Sequence, residues 1–318
     1  MEIKEQASNQ IVLPSPLVKC NLALGCITYF KRDDLIHPEV SGNKYRKLKY
    51  VVQELLHSHS TGVITFGGAF SNHIHATAAY CHMMHLKCVG IIRGEDDASN
   101  PTLRRARALG MQLYFISRAE YKLKEASDLV KFIIAKHEGY GIIPEGGDHP
   151  LALRGVAEML DEIEDQKVIP DYIALSCGTG ATAAGVLKSV IDRSWQTKVI
   201  VIPALNNHHL QGDILSKANA QSHAEKLIYI DDFSRAGYAK TDPALIQYMH
   251  QIYDSTHIPL DPVYTGKLAF ALTQMGKQDF FKPLDKLIIV HSGGLQGISG
   301  YNYLMQKKNQ GVHMVIRY

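Results

Sequence analysis

The sequence predicts an α/β protein with mainly parallel strands, and two observations carry that expectation. Apolar, β-branched runs lead into glycine turns, and each turn is followed by residues with helical periodicity. A parallel connection needs a long crossover, which a helix supplies, so strands alternating with helices in this way imply parallel pairing.

The first unit has a strand over Gly62 to Phe66, the turn Gly67-Gly68-Ala69-Phe70-Ser71-Asn72, and a helix from about His73 through Cys81, capped by Ser71 and Asn72. The second has a strand over Tyr140 to Pro144, the turn Glu145 to Pro150, and a helix through Val156 and Met159. In the third, Asp171 to Leu175 leads into Ser176-Cys177-Gly178-Thr179-Gly180 and a helix over Ala181 to Ile191. The fourth sets Leu287 to Val290 before His291-Ser292-Gly293-Gly294 and a helix through Tyr301 and Tyr303. Ligands of open parallel sheets bind beyond the carboxyl ends of the strands, where all four turns fall. A single glycine turn is as readily mere punctuation, but four together favour one shared pocket.

At 318 residues, 46% apolar and 20% charged, the chain has ample material for a core and the length for two packed lobes. A net charge of +3, with the basic residues scattered, argues against nucleic acid as a partner and leaves room for a small anion. Met1 to Leu13 offers no apolar core of a signal peptide, and no apolar run approaches a membrane span, so a soluble, cytoplasmic protein with no membrane partner is expected. Five cysteines without paired spacing read as reduced packing residues. His73, His75, His82 and His85 share one predicted helix, but no carboxylate or cysteine completes a ligand set, and no metal is expected.

The Ser176 to Thr182 turn lies between a buried strand and an Ala-rich helix, so free N–H groups and the helix dipole would face a bound anion, for which a phosphate is well suited. A Walker A loop would follow its last glycine with Lys and Ser or Thr, whereas Gly185 is followed by Val186 and Leu187. A dinucleotide fold would place an acid after the next strand, but Lys198 to Ile202 ends in Pro203-Ala204. Cys177, inside the turn, fits a small packing residue better than a nucleophile.

An aldehyde cofactor with a phosphate would need a lysine, and Ser41-Gly42-Asn43-Lys44-Tyr45-Arg46-Lys47-Leu48-Lys49 offers several. Lys44 follows a capping sequence, so it falls in the first turn of a helix, where the dipole disfavours a cation and eases loss of the ammonium proton. Taken alone, the run reads equally as the solvated basic face of a helix.

Ser41 to Leu48, Ser71-Asn72-His73 and Asp261-Pro262-Val263-Tyr264-Thr265-Gly266-Lys267 resemble, in that order, motifs of the D-cysteine desulfhydrase and 1-aminocyclopropane-1-carboxylate (ACC) deaminase family. The resemblance spans most of the chain. It implies an enzyme dependent on pyridoxal 5'-phosphate (PLP), of fold type II like the tryptophan synthase β-subunit, with a large PLP lobe (1–46 and 158–318) and a smaller inserted lobe (47–157). It further implies that Lys44 joins the PLP aldehyde, that Asn72 meets the ring oxygen, and that Gly178, Thr179, Gly180, Ala181 and Thr182 wrap the phosphate. Ser292 would face the pyridine nitrogen, Ser71 and His73 the carboxylate of an amino acid substrate, and Tyr264 the reacting carbons. A homodimer is implied on the same ground.

The sequence departs from the family pattern at Ile289, where both activities carry a tyrosine two residues before His-x-Gly-Gly. Opening a cyclopropane ring has no α-proton to start from and needs a placed base or nucleophile, so this loss weighs most against the deaminase. His73, where the deaminase pattern has Gln, points the same way. D-cysteine, cleaved to pyruvate, sulfide and ammonia, is the expected substrate, with ACC as the alternative. Two rivals from other classes are a dinucleotide-dependent oxidoreductase, which lacks its ribose acid, and a PLP-binding protein without turnover, which Ile289 favours.

Overall fold

Among the residues that the computed structural model describes, 10–204, 207, 209–232, 243–308 and 316–318, the strands sort into two sheets. The larger contains β1 (Leu17–Cys20), β2 (Ile27–Lys31), β7 (Tyr172–Cys177), β8 (Lys198–Pro203), β9 (Leu227–Tyr229) and β10 (Lys286–Val290), in the order β1-β2-β10-β7-β8-β9. The smaller contains β3 (Gly62–Gly68), β4 (Lys87–Arg93), β5 (Met111–Ile116) and β6 (Tyr140–Ile143), in the order β5-β4-β3-β6. Every pairing is parallel except that of β1 with β2. Helices α1 (Asn43–His57), α2 (Asn72–Met83), α3 (Pro101–Ala108), α4 (Arg118–Leu123), α5 (Asp128–Lys136) and α6 (Pro150–Asp165) precede β7. Helices α7 (Ala181–Asp192), α8 (Leu210–Ala218), α9 (Pro243–Thr256), α10 (Thr265–Lys277) and α11 (Gly297–Lys307) follow it. The α/β class with mainly parallel sheets is therefore as the sequence predicts. The first nine residues of the Met1 to Leu13 segment lie outside the described residues.

Alternation along the central strands decides what packs where. Leu287 and Ile289 of β10, with Ala174, Ile200 and Ile202, turn to the face covered by α9 and α10. Ile288 and Val290, with Ile173, Leu175, Val199 and Val201, turn to the face covered by α6 and α7. These side chains are almost fully buried, and each Leu, Ile and Val among them contributes roughly 1.5–3 kcal/mol. Ile289 is thus a core residue under α9 and α10.

The four expected strand–turn–helix units are present, with strands at 62–68, 140–143, 172–177 and 286–290. Ser71 caps α2, its Oγ accepting from the N–H of His73 and Ile74, while Asn72 is already helical. Among the described residues no helix is long and apolar enough to cross a membrane.

Helix α1 carries the chain from one sheet to the other and is anchored by a buried ion network. Arg46 donates to Asp33 (2.7 Å) and Glu162 (2.9 Å), and Lys31 donates to the same Glu162 oxygen (2.6 Å). This network ties α1 to β2 and to α6, and so fixes the helix that bears Lys44.

Candidate active site

Three of the four glycine turns converge on one cavity of about 420 Å³, with Lys44 in its wall. The turn after β3 supplies Gly68 to Asn72, the turn after β6 supplies Glu145 and Gly146, and the turn after β7 supplies Ser176 to Gly180. The fourth turn stands behind Lys44: Asn43 N–H donates to the Ser292 carbonyl (3.2 Å), and Gly42 (φ +62°) packs so closely on it that a Cβ there would come within 1.9 Å of the oxygen. Ser292 is buried but does not line the cavity.

Lys44 sits in the first turn of α1, where no side chain caps the helix and Gly42 holds the N-cap position. Its Nζ donates to Asn43 Oδ1 (3.1 Å). Burial pushes its ammonium down to about 8, and the Asp261 carboxylate opposes the shift. The lowering expected from the helix start is present, with desolvation as its principal cause. Asp261, buried, also shapes the neighbouring turn by accepting from the N–H of Val263 (2.9 Å), Tyr264 (2.9 Å) and Thr265 (2.8 Å). Tyr264 is thereby held in the cavity wall, its Oη 3.4 Å from where a Cβ on Gly178 would lie.

The turn after β7 is built for close approach. Gly180 has φ +84°, and a Cβ on it would meet Ile214 at 2.9 Å. The N–H groups of the first turn of α7 have no helical carbonyl partner. Thr182 Oγ1 accepts from Asn43 Nδ2 (3.1 Å), and Lys217 donates to the Thr179 carbonyl (2.8 Å) and to Asp148 (2.5 Å), joining this turn to α1 and to the turn after β6. Burial pushes the Cys177 thiol up to about 12, which keeps it protonated and suits a packing residue.

Around α2 the residues divide. Ser71 Oγ accepts two backbone N–H groups and keeps its own proton to donate into the cavity. The Asn72 amide lies against the turn after β10, with Nδ2 2.8 Å from a Cβ placed on Gly294 and Oδ1 3.0 Å from one placed on Gly297. His73 lines the same cavity, and its ring is held from within the protein. Its Nε2 is 2.7 Å from Thr65 Oγ1, which itself donates to the Ile143 carbonyl, so the ring proton sits on Nε2; Thr77 lies 3.5 Å from Nδ1. Burial and the charges of Lys44 and Lys47 hold its pKa well below 6.5, so the ring is a neutral strut beneath the helix. His75 faces Glu39 at 3.5 Å, and among the described residues no group of three His, Cys, Asp or Glu side chains could hold a metal ion.

Two further lining residues take on a role that the sequence did not single out. Lys47 is one turn from Lys44, at the i, i+3 spacing that puts both on one helix face, and burial together with the Lys44 charge holds its amine well below 10.5. It makes no hydrogen bond among the described residues. Ser176, 2% exposed, presents an Oγ with no hydrogen-bond partner among the described residues. Unsatisfied buried donors beside a helix start fit a polar, anionic group.

Residues 9–293 match the family described as pyridoxal-phosphate dependent enzymes. The chain belongs to that family. PLP is accordingly its cofactor, and the lysine amine, the helix start and the orphaned hydroxyl form a donor set that fits an aldehyde and a phosphate. The bifunctional D-cysteine desulfhydrase/1-aminocyclopropane-1-carboxylate deaminase of Arabidopsis thaliana is 30% identical, with 90% of this chain and 77% of that one covered. The D-cysteine desulfhydrase of Klebsiella pneumoniae is 26% identical, over 88% of this chain and 90% of that one. A solved structure of an ACC deaminase homologue superposes with a TM-score of 0.81 at 22% identity, covering 93% of this chain and 94% of that one. The fold is that of the type II PLP enzymes.

Proposed function

We propose that this PLP enzyme cleaves a small amino acid at the Lys44 cavity, eliminating a β-substituent and releasing ammonia, with D-cysteine favoured over ACC. The observation that carries the proposal is the Lys44 amine, drawn down to about 8 in a cavity that the turn after β7 also lines. When bound, PLP supplies an electron sink for the carbanion left after a bond to the α-carbon breaks. Lys44 Nζ would hold the aldehyde and, as a free amine, would take the α-proton of the substrate, a task for which an amine near neutrality is suited.

The other residues hold and orient. Gly178, Thr179, Gly180, Ala181 and Thr182 would take the phosphate at the start of α7, and Lys47 would regain its charge beside a dianion. Asn72 would meet the ring oxygen, and Ser292, through a hydroxyl turned toward the ring, its nitrogen. The Ser71 hydroxyl would bind the substrate carboxylate, with Tyr264 near the reacting carbons. Ile289, buried in the core, offers no hydroxyl from the position where the family has tyrosine, and this favours elimination over ring opening. A division into lobes 1–46 with 158–318 and 47–157, and a cytoplasmic homodimer, complete the proposal.

Purified protein should show the visible absorption band of lysine-bound PLP, and Lys44→Ala should lose it; an unchanged band would remove Lys44 from the role. A screen of D- and L-amino acids and ACC for 2-oxo acid and sulfide separates the desulfhydrase from the deaminase, and either from a PLP-binding protein without turnover.

A further inference from the structure

We infer that the site prefers an amino acid with a second anionic group beyond its α-carboxylate, such as a carboxylate, sulfinate or sulfonate, and that Arg93 reads that group. The inference rests on the cavity being the amino acid site of a PLP enzyme, and it goes beyond that reading in the side chain: D-cysteine stays ahead of ACC, and an amino acid with an acidic side chain is placed ahead of both.

Arg93 ends β4, in register with Gly68 at the end of β3, and lines the cavity. A Cβ placed on Gly68 would lie 3.5 Å from Arg93 Nη2. The Gly68 carbonyl accepts from Ser71 N–H (3.0 Å), so the turn is tight and brings the start of α2 beside Gly68. Two receptors for negative charge therefore flank one short turn, the Ser71 hydroxyl at the helix start and the guanidinium across from it. An amino acid with a neutral side chain has one carboxylate and fills only one of them.

The charge on Arg93 is not spent within the protein. Arg46, Arg105, Arg107 and Arg193 each contact a carboxylate, whereas Arg93 forms no ion pair or hydrogen bond among the described residues and only lies over the Tyr121 ring, 5.4 Å from its centroid. Glu145, the carboxylate in the lining, is held by Lys124 at 2.6 Å, which offsets its repulsion of an incoming acid. Gly68, Ala69 and Phe70 bring no side-chain acceptor to the turn. The planar fork of a guanidinium matches carboxylate and sulfonate oxygens two at a time.

The test titrates PLP-loaded protein with each enantiomer of aspartate and of asparagine, which match in shape and differ in charge, and reads dissociation constants from the shift of the visible band. Aspartate should bind about tenfold more tightly than asparagine in one handedness, and Arg93→Gln should bring the ratio to about one. Equal affinities in the unaltered protein overturn the inference, as does a ratio that survives the substitution. Equal weakening of both ligands by Arg93→Gln also overturns it, because the guanidinium then holds the α-carboxylate. A protein that takes up no PLP fails the cofactor reading instead, and calorimetry with the same ligands still gives the ratio.

Discussion

Asn43 Nδ2 donates to Thr182 Oγ1 over 3.1 Å, so the first residue of the lysine-bearing helix is fastened to the first turn of α7. The same side chain accepts from Lys44 Nζ through its Oδ1. One amide thus sets the distance between the amine and the turn proposed for the phosphate. Asn43→Leu removes both bonds while keeping the branched heavy-atom skeleton and should weaken PLP binding about thirtyfold, at about 1 kcal/mol per bond. Thr182→Val should give part of that loss, with the two changes combining less than additively. Equilibrium dialysis with PLP measures each, and strictly additive losses would mean that the two side chains act separately.

The lowered Lys44 pKa makes PLP loading depend on pH. Only the neutral amine attacks an aldehyde, and with an ammonium near 8 roughly a tenth is neutral at pH 7 and roughly nine-tenths at pH 9. The initial rate at which PLP couples to the apoprotein should rise with pH through about 8. The sign for stability follows: between about 8 and 10.5 the unfolded chain holds a proton that the folded apoprotein has released, so folding stability rises with pH across that window. A loading midpoint near 10 would mean that burial does not act on this amine.

Two ion pairs on α1 should behave differently when cut. Arg46→Met leaves the buried Asp33 carboxylate without its cation and Glu162 with Lys31 alone, in a site where the arginine itself is 1% exposed, and should cost about 3–5 kcal/mol. Lys49→Met cuts a pair with Glu158 whose side chains are 21% and 25% exposed, and should cost at most about 1 kcal/mol. Urea unfolding of both variants tests the contrast, and equal costs would remove the network from its anchoring role.

What the sequence discloses and what it conceals divide along the range of the interactions. The units at 62–83 and 172–192 are legible because the strand, turn and cap of each are local, as with Ser71 bonding to His73 and Ile74. The edge strands β1 and β9 are not, since four and three residues carry too little pattern to be told from loop. Lys44 and the 178–182 turn stand out by motif, yet Lys47 was open to recognition by its spacing alone. The orientation of His73 is not legible at all, because Thr65 comes from another element and only packing brings it beneath the ring. Arg93 reads as the polar end of a strand until the turn after β3 folds against it.

Ser176 gives a test in which two effects run in opposite directions. Its Oγ is buried without a partner among the described residues, and such a group costs a folded protein about 1–3 kcal/mol when nothing satisfies it. Removing the hydroxyl from the apoprotein should therefore leave stability unchanged or raise it, since Ser176→Ala takes away the unmet donor and leaves a small void. In the PLP-loaded protein the same change should remove a bond, so the gain in melting temperature on adding PLP should shrink and the dissociation constant for PLP should rise about fivefold. A hydroxyl serving only as packing would lower the melting temperature of both forms equally. Differential scanning calorimetry with and without PLP separates the two, and equal shifts in both forms would withdraw Ser176 from the cofactor wall.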